Sequence, residues 1–197
     1  MFKKINSCLV VFFVSVLISS NVLANQPEDF IRGVTTEASS ILQKDLTKDQ
    51  KITELRKLAD QNVDIAGIGM YSLGKHRKAI TEEELNKYKK LFHEYFLKSF
   101  ASRLAEYSDP KINVLSQKVL NEKYTIVFSV LVASEKRPEV KLDWRVYTKD
   151  PSKPLIRDLI VEGLSLVRTQ KEEFNSVIQG ADGDISVLFN NLKQFNE

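Results

Sequence analysis

The spacing of apolar residues is helical in the first part of the chain, alternating in the middle and helical again at the end. From Pro27 to Leu46, Phe30, Val34, Ala38, Ile41 and Leu42 fall on one stripe of a helix. Thr47 or Asp49 can cap a second helix, whose stripe is Ile52, Leu55, Leu58 and Ala59. Asp64 opens a third, Ile65 to Gly74, which carries Gly67 and Gly69 inside it. An interior glycine costs about 1 kcal/mol relative to alanine, so the pair predicts a bulky neighbour packed close to that backbone. Gly74 reads as the stop, with the basic run Lys75-His76-Arg77-Lys78 behind it.

Thr81-Glu82-Glu83-Glu84 is a capping box and predicts a long helix reaching about Tyr107. Leu85, Tyr88, Phe92, Tyr95, Phe96 and Phe100 share one side of it, and Lys87, Lys90, Glu94 and Lys98 the other. Asp109-Pro110 ends it. Strand-like segments follow at Lys111–Leu120, Lys123–Ser134, Val140–Thr148 and Leu155–Leu166. In the second, Ile126, Phe128, Val130 and Val132 are expected on one face. In the third, Val140, Leu142, Trp144 and Val146 are expected inward, with Lys141, Asp143, Arg145 and Tyr147 outward. Polar, proline-bearing connections suit an antiparallel meander. Two short helices close the chain on Phe174, Val177 and Ile178, then Ile185, Leu188, Phe189 and Leu192. The expected architecture is α+β: a twisted antiparallel sheet of about four strands with helices packed on one face.

Residues 1–24 read as a cleaved secretory signal. Lys3 and Lys4 precede the apolar stretch Cys8 to Ile18, and Val22-Leu23-Ala24 supplies the cleavage site. That stretch falls short of the roughly 20 residues a bilayer span needs. Asn6-Ser7 ahead of Cys8 do not make a lipoprotein site. Removing the leader removes the only cysteine, so the exported domain, 25–197, has no disulfide, thiol nucleophile or thiolate ligand.

Composition narrows the chemistry further. With 29 basic and 26 acidic residues the net charge is +3, which gives no footprint for nucleic acid. The only histidines, His76 and His93, fall on different elements and outside any metal-ligand spacing. Gly163-Leu164-Ser165 lacks the second glycine of a nucleophile elbow, and Gly67-Ile68-Gly69 lies in a helical pattern where a dinucleotide fingerprint needs a strand. Asp182-Gly183-Asp184 is too short for a calcium loop and suits a helix cap. Asp143, Asp158 and Glu162 fall on strands without a second catalytic group, and Asp158 is expected to pair with a basic neighbour across the sheet. No cofactor and no metal is expected.

Val140-Lys141-Leu142-Asp143-Trp144-Arg145-Val146, then Arg157-Asp158-Leu159-Ile160-Val161-Glu162-Gly163-Leu164-Ser165-Leu166, resembles the end of the MlaC, or toluene-tolerance, family, including its Asp-x-x-x-Glu-Gly-x-Ser pattern. Gln170 to Phe174 resembles the helix that follows. Leu73-Gly74 with basic residues, then Thr81 and a long aromatic helix, is similar to the front half, so the likeness runs from about Pro27 to Phe195. His76 and Arg77 stand where members often carry aromatics, and Pro154 and Arg157 where they often carry tryptophan and tyrosine.

The resemblance implies a soluble periplasmic phospholipid carrier, with no enzymatic activity, that encloses acyl chains in an apolar pocket. It implies as partners an inner-membrane ABC transporter complex with a lipid-binding ring subunit and an outer-membrane lipoprotein. The tails are expected between the long helix and the inward sheet face, against Ile68, Leu73, Phe92, Phe96, Phe100, Ile126, Phe128, Val130, Leu142, Trp144 and Val146. Lys75, Arg77 and Lys78 are read as a solvated run. Three alternatives stay open: a relative carrying a hopanoid or other lipid, a periplasmic enzyme on a related cone-shaped α+β scaffold with Asp143 or Asp158 as general base, and a structural or adaptor protein whose helices pack solidly.

Overall fold

The computed structural model describes residues 26–135 and 137–197; the expected signal segment, 1–24, lies outside them. Four α-helices precede the sheet and two follow it, and most of them start on a local chemical signal. Helix α1 spans Gln26–Gln43 and α2 spans Lys48–Asn62. Thr47 caps α2 in a capping box with Gln50, which settles the choice between Thr47 and Asp49. Asp64 caps α3 (Ile65–Ser72) by accepting from the Gly67 amide at 2.8 Å. Gly74, at φ +58°, turns the chain into a single 3₁₀ segment, Gly74–Lys78. Thr81 and Glu84 form the reciprocal box that opens α4 (Glu82–Leu104), three residues shorter than expected at its far end. The amide and hydroxyl of Thr81 hold the Glu84 carboxyl below its ordinary value.

The sheet is an antiparallel meander in the order β1-β2-β3-β4-β5. Its strands are β1 (Ile112–Asn121), β2 (Tyr124–Leu131), β3 (Val140–Tyr147), β4 (Leu155–Val161) and β5 (Leu164–Ser165). It therefore has five strands where about four were expected. The predicted strand Leu155–Leu166 is a hairpin: Glu162 and Gly163 both have positive φ, 49° and 84°. That is the pair of left-handed residues a two-residue hairpin turn requires. Ser165 then caps α5 (Leu166–Gln179) through the Arg168 amide, and α6 (Ser186–Asn196) follows. Asp184 binds the amide and hydroxyl of Ser186 at 2.8 Å each and so fastens the start of α6.

One expectation is overturned by the register. Val127 pairs with Trp144, which pairs with Leu159, while Phe128 pairs with Asp143, which pairs with Ile160. Directly paired residues share a face, so Ile126, Phe128 and Val130 lie on the side opposite Leu142, Trp144 and Val146. The helix-facing residues of β2 are Thr125, Val127, Ser129 and Leu131. Ser129 tolerates burial there because its hydroxyl accepts from Trp144 Nε1 at 2.9 Å and donates to the Leu142 carbonyl at 2.8 Å.

The main core joins that face to α1, α3, α4, α5 and α6 through Ile31, Leu73, Tyr88, Phe92, Val127, Val146, Phe174, Ile178 and Leu188. A smaller cluster, Ile41, Leu42, Leu55, Leu58 and Ala101, fastens α1 and α2 to the end of α4. Among the described residues no helix is long and apolar enough to cross a membrane.

Candidate functional site: an aromatic interior with two unlike clefts

The two glycines of α3 do what their cost predicts. A Cβ on Gly69 would stand 2.7 Å from the Phe92 ring, and one on Gly67 would stand 2.5 Å from the Arg157 guanidinium carbon. Bare backbone thus lets α4 and β4 press directly on α3. The fully buried Tyr88 donates its hydroxyl to the Gly69 carbonyl at 2.9 Å, and burial pushes the phenol well above its ordinary pKa. Around this contact lies a run of rings. Tyr88 and Phe92 are 5.7 Å apart, Phe174 meets Phe92 edge-on at 6.0 Å, and Phe96 stacks on Phe100 at 5.7 Å. Such pairs add specific geometry to a large apolar contact area.

Two unlike clefts open on the surface, and one of them reaches the rings. Between α3 and α4 an apolar cleft of about 380 Å³ is lined by Ile65, Ala66, Gly69, Met70, Tyr88 and Phe92, with Lys89, Lys90, His93 and Glu94 around it. Where β1, β3 and β4 meet the end of α3 and the start of α5, a second of about 340 Å³ is lined by Tyr71, Leu120, Tyr124 and Val167 together with Arg145, Arg157, Asp158 and Arg168. A third hollow of about 300 Å³ lies over Leu73, His76, Lys171 and Asn175.

The eleven residues expected around lipid tails are only partly brought together. Ile68, Leu73, Phe92, Leu142, Trp144 and Val146 share the main core, with Phe96 and Phe100 packed against it. Of these Phe92 lines the apolar cleft and Leu73 the hollow. Ile126, Phe128 and Val130 belong to the other sheet face. Sequence reasoning missed Met70 and Ile65 as cleft residues, and it missed the arginine-lined cleft altogether. The signal for the latter was present in the β4 pattern, since the adjacent charges Arg157 and Asp158 interrupt an otherwise apolar strand.

Asp158 does pair with a basic neighbour: Arg145 Nη1 lies 3.6 Å from its Oδ2. Only 2% exposed, Asp158 also accepts from the Ser165 hydroxyl at 2.7 Å and the Val167 amide at 3.2 Å. Its oxygens therefore tie β4 to the first turn of α5, where the helix dipole favours a carboxylate. Asp143 is half-buried beside Phe128 and Ile160, and loss of water raises its pKa. His93 meets Asp60 at 2.7 Å and His76 meets Asn175 at 3.2 Å. The described residues contain no group of three or more His, Cys, Asp or Glu placed to hold a metal.

A five-stranded meander with helices on one face, an aromatic interior and clefts opening beside it defines an open-sheet α+β protein. The family model for the MlaC protein matches residues 32–194, and the chain belongs to that family. Among solved structures it resembles the phospholipid-binding protein from Ralstonia solanacearum, determined in complex with a phospholipid. The TM-score is 0.71 at 19% identity, over 86% of this chain and 96% of that one. No curated protein matches the sequence.

Proposed function

We propose that the chain is a periplasmic phospholipid carrier that shields acyl tails between α3, α4, α5 and the helix-facing side of the sheet. The observation that carries this reading is membership of the MlaC family over residues 32–194. The phospholipid held by the Ralstonia solanacearum relative, which shares the fold, supports it. So does the chemistry of the interior, where the faces in contact are aromatic and aliphatic. Each methylene moved out of water is worth about 0.8 kcal/mol, so a 16-carbon tail is held back from free solution by roughly 12 kcal/mol. A protein that supplies the apolar surroundings removes that barrier to crossing an aqueous compartment.

A tail spans about 15 Å, half the thickness of a bilayer's hydrocarbon core. The α3–α4 cleft, at about 380 Å³, is at the small end of ligand sites, commonly ~300–1,000 Å³. Loading therefore needs α3 to lift from α4. The helix is short and is held at its ends by the Asp64 cap and the Gly74 turn. Between them, Phe92 and Tyr88 contact it across bare glycine. The tails replace that contact in the loaded state. The headgroup stays wet, because burying an unpaired phosphate is expensive. The partners of this reading are an inner-membrane ABC transporter complex with a lipid-binding ring subunit and an outer-membrane lipoprotein. The carrier hydrolyses nothing itself.

The test is native mass spectrometry of the protein released from the cell envelope, with extraction and identification of what it carries. One phospholipid per chain is the expected result. Protein that stays lipid-free, and takes up none from phospholipid vesicles, overturns the reading.

A further inference from the structure

The arginine-lined cleft holds more positive charge than its carboxylate balances. Arg145, Arg157 and Arg168 line it, and Asp158 is the one acid among its lining residues. Asp158 is already occupied by Ser165 and the Val167 amide, and Arg145 stands 3.6 Å from it, outside close hydrogen-bonding distance. Arg157 is the extra residue where β4 shifts register against β3, between Ile156 and Asp158. Its guanidinium lies 4.8 Å over the Tyr147 ring and pairs with Asp64, yet its Nε is buried with no hydrogen-bond partner. A buried donor left open in this way calls for an acceptor. Arg168 sits in the first turn of α5, where a cation opposes the helix dipole, and that turn contains no acid. Its side chain makes no hydrogen bond or ion pair among the described residues.

The rest of the lining is mostly apolar. Tyr71 is 43% and Leu120 46% exposed, Tyr124 and Val167 lie with them, and Asn121 and Ser165 are the polar exceptions. Arginines beside an exposed apolar wall suit an anion carried on a greasy body. Arginine forks match phosphate oxygens in particular. We infer that this cleft binds the phosphate oxyanion of a phospholipid, with Arg145, Arg157 and Arg168 as its donors. The choice of a lipid as the source of that phosphate rests on the carrier reading.

The experiment uses the secreted chain freed of lipid and three probes measured by titration calorimetry at low salt: dihexanoyl-phosphatidylglycerol, dihexanoylglycerol and inorganic phosphate. The expected result is that phosphatidylglycerol binds at least about tenfold tighter than the diacylglycerol with the same chains, an advantage that shrinks as salt rises. In R168E that ratio falls toward one. Arg168 is exposed and holds nothing in the fold, so this variant keeps the test clear of unfolding; R157Q, which also removes a hold on Asp64, is the second. An unchanged ratio in R168E, or a ratio of one in the unaltered protein, overturns the site and leaves the carrier reading standing. Loss of binding by both lipids overturns both. Inorganic phosphate binding as tightly as phosphatidylglycerol, and lost in R168E, overturns the lipid as the source in favour of free phosphate.

Discussion

Phe128 and Trp144 sit on adjacent strands and end on opposite sides of the same sheet. Trp144 faces the helices, 8% exposed, with its indole N–H held by Ser129. Phe128 faces away, half-buried beside Asp143, and neither it nor Val130 or Ile160 packs against the main core. Both faces of β2 are apolar enough to be buried, and the bulkier set, Ile126, Phe128 and Val130, went to the side without the helices. Hydrophobic bulk alone therefore does not choose the inward face. What chose it is the fit of small side chains, Thr125 and Ser129, under large ones from β3 and the helices, with the one buried hydroxyl of Ser129 used twice.

The largest test of that contrast is truncation on each side. Trp144→Ala should cost about 3–5 kcal/mol of stability, whereas Phe128→Ala should cost under about 1.5 kcal/mol, read from denaturant midpoints. Equal losses would erase the difference between the faces. Next, Gly69→Ala should destabilise by about 1–3 kcal/mol, even though alanine is the better helix former. The new methyl meets the buried Phe92 ring at 2.7 Å. A gain in stability would mean that α3 is not pressed on α4. Ser129→Ala should cost about 1–3 kcal/mol, since the Trp144 N–H then stays buried without an acceptor. A near-neutral midpoint, with the indole emission unshifted, would remove the hydroxyl from the explanation.

The smallest effect belongs to the outer face. Asp143 has its pKa raised above 3.8, chiefly by loss of water. The folded state thus holds the proton more tightly than the unfolded chain does. Its contribution is therefore present at low pH and is lost as pH climbs from the unfolded value through the raised one. Asp143→Asn should give a slight rise in melting temperature at neutral pH that disappears in acid, solvent screening keeping it small. A fall at neutral pH would contradict the sign.

Local signals in the sequence were legible wherever one residue decides the outcome. The Thr81 box, the Asp64 cap and the left-handed Gly74 follow from chemistry within a few residues, and a cap at Thr47 or Asp49 was expected; Gly67 and Gly69 signalled a close neighbour without naming Arg157 or Phe92. That Asp158 would meet a basic neighbour across the sheet was legible, and the structure supplies Arg145. What could not be read is what depends on register. Alternation says which residues of β2 share a side but not which side meets the core, and a slip of one residue exchanges them all. The shift that inserts Arg157 into β4, and the hairpin at Glu162-Gly163, likewise come from pairing. Those two features build the arginine-lined cleft, so the charges of β4 were legible in the sequence but the cleft they line was not.

Trp144 is the only tryptophan in the chain and lies on the sheet face where the tails are placed. Loading the protein with phosphatidylglycerol brominated midway along its acyl chains tests that placement directly, because bromine quenches indole emission only at close range. The account predicts strong quenching of Trp144 at one lipid per chain, and none from the same lipid without bromine. Full emission from a stoichiometrically loaded, folded protein would place the tails elsewhere and contradict it.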